Sequence, residues 1–233
     1  MKVIVIGGSS GIGAELVKQL VARGDVVASV ARRGANMADQ GTLRGYTHDV
    51  TNFGEVPALF QKITQDLGGL DCVIYAAGVM PEVGADEFDF AKDRAMIDVN
   101  LTGAVAWLNE AATRFQAVGA GTIVAIGSVA GERGRHAQPV YNTTKAALKT
   151  YMEALRNRLS RHGVTVVTIK PGPTATEMTS HLDQSSMMSA SDAAGAILKK
   201  MTKNGEHYLN PLHAAIFLVI RNIPSFIFRK LKV

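Results

Sequence analysis

Val3-Ile4-Val5-Ile6-Gly7-Gly8-Ser9-Ser10-Gly11-Ile12-Gly13, residues 3–13, is a short β-branched run that stops at paired glycines. Just beyond them Ile12, Leu16 and Leu20 recur at helical spacing. A strand that turns through glycines into a helix is suited to hold a phosphate. Gly7 permits the tight turn, Gly11 lets backbone amides approach a pyrophosphate, and Gly13 lets helix and strand pack closely. The helix N-terminus then offers unpaired N–H groups and a partial positive charge. Ser9, Ser10 and Ile12 complete the loop. The spacing is G-x-x-x-G-x-G, not the general G-x-G-x-x-G, and taken alone it fits a purely structural turn as well.

Working outward, strand-like and helix-like runs alternate. Val26–Val30 reads as a second strand and Gly45–His48 as a weak third. Cys72–Tyr75, Thr122–Ile126 and Val164–Ile169 follow, each nearly continuous in apolar residues. Continuous runs suggest strands buried on both faces, as in a parallel sheet covered by helices on each side. Helical spacing recurs from Val56 to Leu67, from about Ala95 to Phe115 and from about Val140 to Leu159. No linker or repeat interrupts the series, so residues 1–233 read as one domain, an α/β doubly wound (Rossmann-like) parallel sheet. In such sheets ligands bind beyond the carboxyl ends of the strands.

The chain of 233 residues is 47% hydrophobic and 19% charged, which suits a buried core and argues against disorder. Its single cysteine, Cys72, sits in an apolar run and excludes an internal disulfide. That fits a reducing compartment, and a cytoplasmic location is expected. The apolar start is too short for a secretory signal. Ala214–Ile220, the longest apolar stretch, is far below the roughly 18 residues a membrane-spanning helix needs. The net charge of +5 is localised: from Lys199 onward there are seven bases and one acid, leaving residues 1–198 with 18 bases against 19 acids. The main body therefore has no basic excess with which to track nucleic acid.

At the end of the second strand the sequence reads Val30-Ala31-Arg32-Arg33. An acid there would bind a ribose 2′-hydroxyl, whereas arginine pairs with a 2′-phosphate. NADP(H) is thus expected over NAD(H), with Arg32 and Arg33 as the selecting residues; an exposed arginine pair without a ligand is the alternative.

Tyr141 and Lys145 stand four apart in an expected helix and share a face. A phenol ordinarily titrates near 10, and a neighbouring ammonium favours its ionised form. That tuning suits a general acid-base residue. Ser128, just past the fifth strand, can point into the cleft and donate a hydrogen bond to a carbonyl oxygen. Asn100 interrupts a helical pattern; its amide could hold a water linking Lys145 to solvent, or satisfy a buried backbone group.

Together and in order, Gly7-x-x-x-Gly11-x-Gly13, Asp49-Val50, Asn100, Ser128, Tyr141-x-x-x-Lys145 and Pro171-Gly172 resemble the short-chain dehydrogenase/reductase family over residues 1–180. The resemblance implies an oxidoreductase interconverting a carbonyl and an alcohol. Ser128 would polarise the carbonyl and Tyr141 move the proton. Lys145 would hold the nicotinamide ribose, and Asn100 would complete a proton relay. It further implies that Asp49 and Val50 flank the adenine, that Thr176 anchors the carboxamide within Pro171-Gly172-Pro173-Thr174-Ala175-Thr176, and that Thr174 and Ala77-Gly78 belong to the cofactor site. Members usually carry Asn-Asn-Ala-Gly where this chain has Tyr75-Ala76-Ala77-Gly78.

Residues 177–195, above all Glu177 to Ala190, are expected to cover the substrate, with Met178, Leu182, Met187 and Met188 as flexible apolar surface. Glu132 to Gln138 is a second, polar lining segment with Arg133, Arg135 and His136; a cationic rim would suit a small amphipathic substrate bearing an acid, unless the arginines face solvent. No histidine falls into metal-ligand spacing, so no metal is expected. In the tail, residues 211–233, apolar clusters alternate with bases. They suit packing on the domain, contact in a homo-oligomer, or peripheral membrane contact. The competing function class is an NADP(H)-sensing protein without catalysis, for which the full Ser128, Tyr141, Lys145 and Asn100 set is not required.

Overall fold

A computed structural model of the chain describes residues 1–33 and 41–231. Seven parallel strands form the central sheet: β1 (Lys2–Ile6), β2 (Val26–Ala31), β3 (Leu43–Thr47), β4 (Cys72–Tyr75), β5 (Gly121–Ile126), β6 (Val164–Lys170) and, after the two-stranded pair β7 (Thr174–Ala175) and β8 (Met188–Ser189), β9 (Gly205–Tyr208). The order across the sheet is β3-β2-β1-β4-β5-β6-β9. The chain reverses direction between β1 and β4, so a crevice opens above the end of β1. Helices α1 (Gly11–Ala22) and α6 (Ala190–Leu198) cover one face; α2 (Val56–Asp66), α4 (Gly103–Val118) and α5 (Pro139–Leu159) cover the other. The two cores are separate: Leu16, Leu20 and Ile197 lie on Val3, Val5 and Ile74, while Trp107, Phe115 and Leu148 lie on Ile4, Ile6 and Val73. Alternate residues of one strand thus feed opposite layers, as the two-residue period of a strand requires.

The expected strands are present to within about two residues, the usual scatter of such ends. Three elements differ. The edge strand β9 was not foreseen, since Gly205-Glu206-His207-Tyr208 has no apolar run. The helix expected from Ala95 to Phe115 is two, α3 (Phe90–Ile97) and α4, joined by the π-helical turn Asp98–Thr102. The segment expected to cover the substrate as far as residue 195 gives way to α6 at Ala190. There Ala193 and Ala194 are needed inside the core. The final helices are α7 (Pro211–Asn222) and α8 (Ser225–Phe228).

Candidate active site

Because every strand of the main sheet runs the same way, the loops after β1, β2, β3, β4, β5 and β6 all emerge at one edge. Backbone bonds continue the ladder into them: Gly7 N donates to the Val30 carbonyl at 2.8 Å, Gly127 N to Ile169 at 2.8 Å, and Val129 N to Pro171 at 3.0 Å. The last bond sets the Ser128 loop beside Pro171-Gly172.

The glycine turn has the form that a nucleotide cradle needs. Gly7 adopts a positive φ of +89°, and a Cβ there would lie 2.5 Å from the Ala77 nitrogen; at Gly13 a Cβ would lie 2.0 Å from the Gly7 carbonyl oxygen. Only glycine fits at either position. A Cβ on Gly11 would meet the Thr176 methyl at 3.3 Å, so the turn and Thr176 face each other. Thr176 begins a 3-10 turn in a capping box with Thr179. The first turn of α1 contains no acid that would repel an anion.

Arg32 and Arg33 are both exposed at the end of β2. Arg33 lies 3.8 Å from Glu177. Asp49 accepts hydrogen bonds from the Thr51 backbone at 3.0 Å and hydroxyl at 2.8 Å. The backbone bond does most to hold its carboxyl below the usual range, with the Arg32 charge adding to it. Arg32 therefore stands close to the turn that carries Asp49 and the buried Val50. These residues fit a phosphorylated adenosine: a fixed cradle for the pyrophosphate and an accessible guanidinium for a 2′-phosphate.

Ser128, Tyr141, Lys145 and Asn100 converge. Ser128 is extended (φ −170°), and its oxygen accepts from Ala130 N at 3.0 Å. The same hydroxyl favours the ionised form of the Tyr141 phenol. Helix α5 opens at Pro139 after Gln138, a non-glycine residue held at φ +56°. A residue in that region is strained and persists only where its surroundings impose it. Here Gln138 Nε2 donates to the Pro81 carbonyl at 3.1 Å, and Asn142 closes the same turn on Ala137. Lys145 is buried, donates to the Ile126 carbonyl at 3.0 Å, and lies 5.7 Å from the Tyr141 ring centre. Burial pushes its ammonium down to about 8.

The electrostatics of Tyr141 differ from the sequence expectation. Burial raises the phenol, opposed by Ser128 and by the charge of Arg135, and the net direction is up. The charge of Arg135 thus acts on the phenol as well, while the Lys145 ammonium lies 5.7 Å from the ring centre. Sequence reasoning gave Arg135 only a place on the rim, because its approach to Tyr141 depends on the path of the loop.

Of the two roles considered for Asn100, the geometry shows the bracing one. Fully buried, it accepts from Val79 N at 2.7 Å, donates to the Val79 carbonyl at 2.9 Å, and reaches Thr144 Oγ1 at 3.3 Å. Thr144 in turn donates to the Tyr141 carbonyl at 2.8 Å. The loop after β4 is therefore clamped to the helix that bears Tyr141. Tyr75, in place of the family's usual asparagine, braces the same turn through a 2.6 Å bond to the Val99 carbonyl. A Cβ on Gly78 would lie 3.4 Å from Asn100, 3.7 Å from Lys145 and 3.9 Å from Met178, so Ala77-Gly78 and the substrate segment border the same space.

The segment Glu132 to Gln138 does not line the site as a unit. Glu132 turns inward, 2.6 Å from Lys170, 3.3 Å from Lys149 and 3.4 Å from Arg221, and accepts from Tyr208 at 2.8 Å. Burial works to raise its carboxyl; the bonds from Lys170 and Tyr208 outweigh that and hold it low. Lys170 also pairs with Glu206. Arg133 donates to the Ile220 carbonyl of α7 and to the Ile223 carbonyl just past its end, and stacks over Phe228 at 4.1 Å. Its sequence neighbours gave no sign of either role. The tail is fastened here to the loop that carries Ser128, so the packing reading holds for its inner side.

A family model described as short chain dehydrogenase matches residues 1–186. The chain is 30% identical over 217 residues to an uncharacterized oxidoreductase of Staphylococcus aureus strain MW2, covering 90% of this chain and 94% of that one. It is 34% identical over 184 residues to another of Myxococcus xanthus strain DK1622, covering 76% and 73%. A short chain dehydrogenase from Burkholderia cenocepacia J2315, solved in complex with NADP, superposes with a TM-score of 0.87 over 100% of both chains at 22% identity. ElxO with NADP bound gives 0.82 over 92% and 99% at 20% identity. With the sheet order, the glycine turn and the Ser128–Tyr141–Lys145 cluster in agreement with that match, the chain belongs to the short-chain dehydrogenase family of oxidoreductases.

Proposed function

We propose that the chain is an NADP(H)-dependent oxidoreductase that interconverts a carbonyl and an alcohol, with Tyr141 as the proton-transfer residue. The observation that carries this reading is the cluster at the strand edge in which the buried Lys145 ammonium lies 5.7 Å from the centre of the Tyr141 ring and Ser128 acts on its phenol, beside a glycine turn too tight for any side chain. When bound, NADPH would supply the hydride for the carbonyl carbon, and NADP would accept one from the alcohol. Gly7, Ser9, Ser10, Gly11, Ile12 and Gly13 would hold its pyrophosphate, Arg32 and Arg33 its 2′-phosphate, Asp49 and Val50 its adenine. Ala77, Gly78, Lys145, Pro171, Gly172, Thr174 and Thr176 would hold the nicotinamide half. NADP and NADPH are the nucleotides bound to the similar ElxO structures.

In the reductive direction Ser128 donates a hydrogen bond to the carbonyl oxygen and orients it. Tyr141 gives its proton to that oxygen as the alkoxide forms. A phenol raised by burial holds its proton at neutral pH and is ready to donate it. Arg135 then faces the phenolate left behind and favours it. Lys145, held by the Ile126 carbonyl, stands where it can return a proton. Oxidation runs these steps backward.

Arg135 also supports a substrate class. Its Nε is buried without a hydrogen-bond partner among the described residues. A substrate bearing an acid near its carbonyl would satisfy that donor, while Met178 offers apolar contact. One buried thiol and no disulfide support a reducing, cytoplasmic setting. The test is NADPH oxidation by the purified protein against ketones, aldehydes, quinones and keto acids. Turnover of a carbonyl acid, lost on Ser128→Ala while NADPH still binds, is expected. NADPH binding with no turnover across the set would favour a sensor instead.

A further inference from the structure

We propose that helices α7 and α8 present a docking face for an anionic lipid bilayer, on which the protein rests without crossing it. Of thirteen large apolar side chains exposed among the described residues, seven fall between Leu212 and Leu231. Leu212, Ile216 and Val219 recur at i, i+4 and i+7, so they share one face of α7. Leu212 is 62% exposed, Val219 65% and Phe226 of α8 62%. An exposed apolar patch of this concentration marks an interaction surface.

The inner side of the same helices is fixed. Phe217 is buried and stacks on Tyr208 at 6.3 Å, Phe228 lies under the Arg133 guanidinium, and Arg221 reaches buried Glu132. The outer face is therefore a rigid platform held away from the core.

Charge indicates what covers it. After Glu206 the chain has no acidic residue. Arg229 and Lys230 are exposed directly beside Phe226 and Ile227, and Lys232 follows in sequence. Next to α8 lies a cavity of about 480 Å³ walled by Arg133, His136, Arg229, Phe228 and Leu231, also without an acid. A second copy docked through this face would bring the same patch against itself, setting base against base. An anionic bilayer answers both features: acyl chains receive the apolar side chains and headgroups the bases. Helix α7 has 12 residues, and no described helix is long and apolar enough to cross a membrane. The geometry fits an element lying in the interface.

The test is co-sedimentation of the full chain with vesicles of phosphatidylglycerol and phosphatidylcholine, beside vesicles of phosphatidylcholine alone. The protein is expected to pellet with the anionic vesicles and to release at least about tenfold as salt rises from roughly 0.05 to 0.5 M, where exposed charges are screened. A Leu212→Gln/Val219→Gln/Phe226→Gln variant should stay in the supernatant while keeping its melting temperature and NADPH binding. Arg229→Glu/Lys230→Glu should lose the preference for anionic vesicles. The proposal is overturned if the parent stays in solution with both vesicles, if it pellets equally with both, or if light scattering shows a dimer that the glutamine variant dissociates.

Discussion

The Lys145 ammonium lies 5.7 Å from the centre of the Tyr141 ring and donates a hydrogen bond to the Ile126 carbonyl, at the end of strand β5. This contact pins the middle of helix α5 to the strand whose next residues carry Ser128, and it keeps a cation in a fully buried position. The cost is visible in its proton affinity, which burial lowers from 10.5 to about 8. The unfolded chain therefore binds more protons than the folded one between about 8 and 10.5. Stability should rise with pH across that window, and the cost of the buried charge is present in full below it. Lys145→Met should flatten this rise, a change on the order of 3 kcal/mol. Urea unfolding midpoints from pH 7 to 10.5 for both proteins measure it; parallel curves would contradict it.

Asn100 makes three bonds from a fully buried position, two to Val79 and one to Thr144. Asn100→Ala leaves the Val79 groups without those bonds and frees the loop after β4 from helix α5. A loss of about 2–3 kcal/mol is expected in urea unfolding, because buried polar groups left unpaired cost their desolvation. Thr144→Val removes two bonds, the 3.3 Å bond from Asn100 and the 2.8 Å bond to the Tyr141 carbonyl, and should cost less because Asn100 keeps both of its bonds to Val79.

Glu132 is the acid that joins Lys170, Lys149 and Arg221. Glu132→Gln sets those cations against one another around a buried, uncharged amide, and should cost about 3 kcal/mol. Since its folded carboxyl is held below the ordinary value, the stability it contributes is present above pH 4.5 and lost as pH falls through the folded value. The variant should lose part of the parent's acid dependence. Melting temperatures from pH 7 down to 3 check both points.

Much of this is legible in the amino-acid sequence. β1, β4, β5 and β6 are buried on both faces, so their apolar runs are nearly continuous and easy to find. β9 is an edge strand of mixed polarity, and its pairing with β6 is set by a neighbour distant in sequence. The π-helical turn at Asp98–Thr102 was hidden because apolar residues continue on both sides; only Asn100 marked it. The residue types of Ser128, Tyr141 and Lys145 carry their own chemistry and were found. The inward turn of Glu132 and the approach of Arg135 to Tyr141 depend on the path of one loop, for which spacing holds no signal.

We infer that cofactor choice turns on Arg32, exposed at the end of β2, where the sequence Val30-Ala31-Arg32-Arg33 offers no acid to bind a ribose hydroxyl. NADPH should bind at least about tenfold more tightly than NADH, or roughly 1.4 kcal/mol. Arg32→Ala should remove most of that preference with little change in NADH affinity. Fluorescence titration of both nucleotides decides it, and equal affinities in the parent would contradict the assignment.

The account rests on the proton that Tyr141 carries. Tyr141→Phe keeps the ring in place below Ser128 and removes only the phenol oxygen. The decisive measurement is turnover of this variant on a substrate of the parent enzyme, with NADPH affinity measured alongside. The expected result is unchanged NADPH binding with turnover lower by roughly 10²–10⁴-fold. Turnover within a few-fold of the parent would contradict the mechanism.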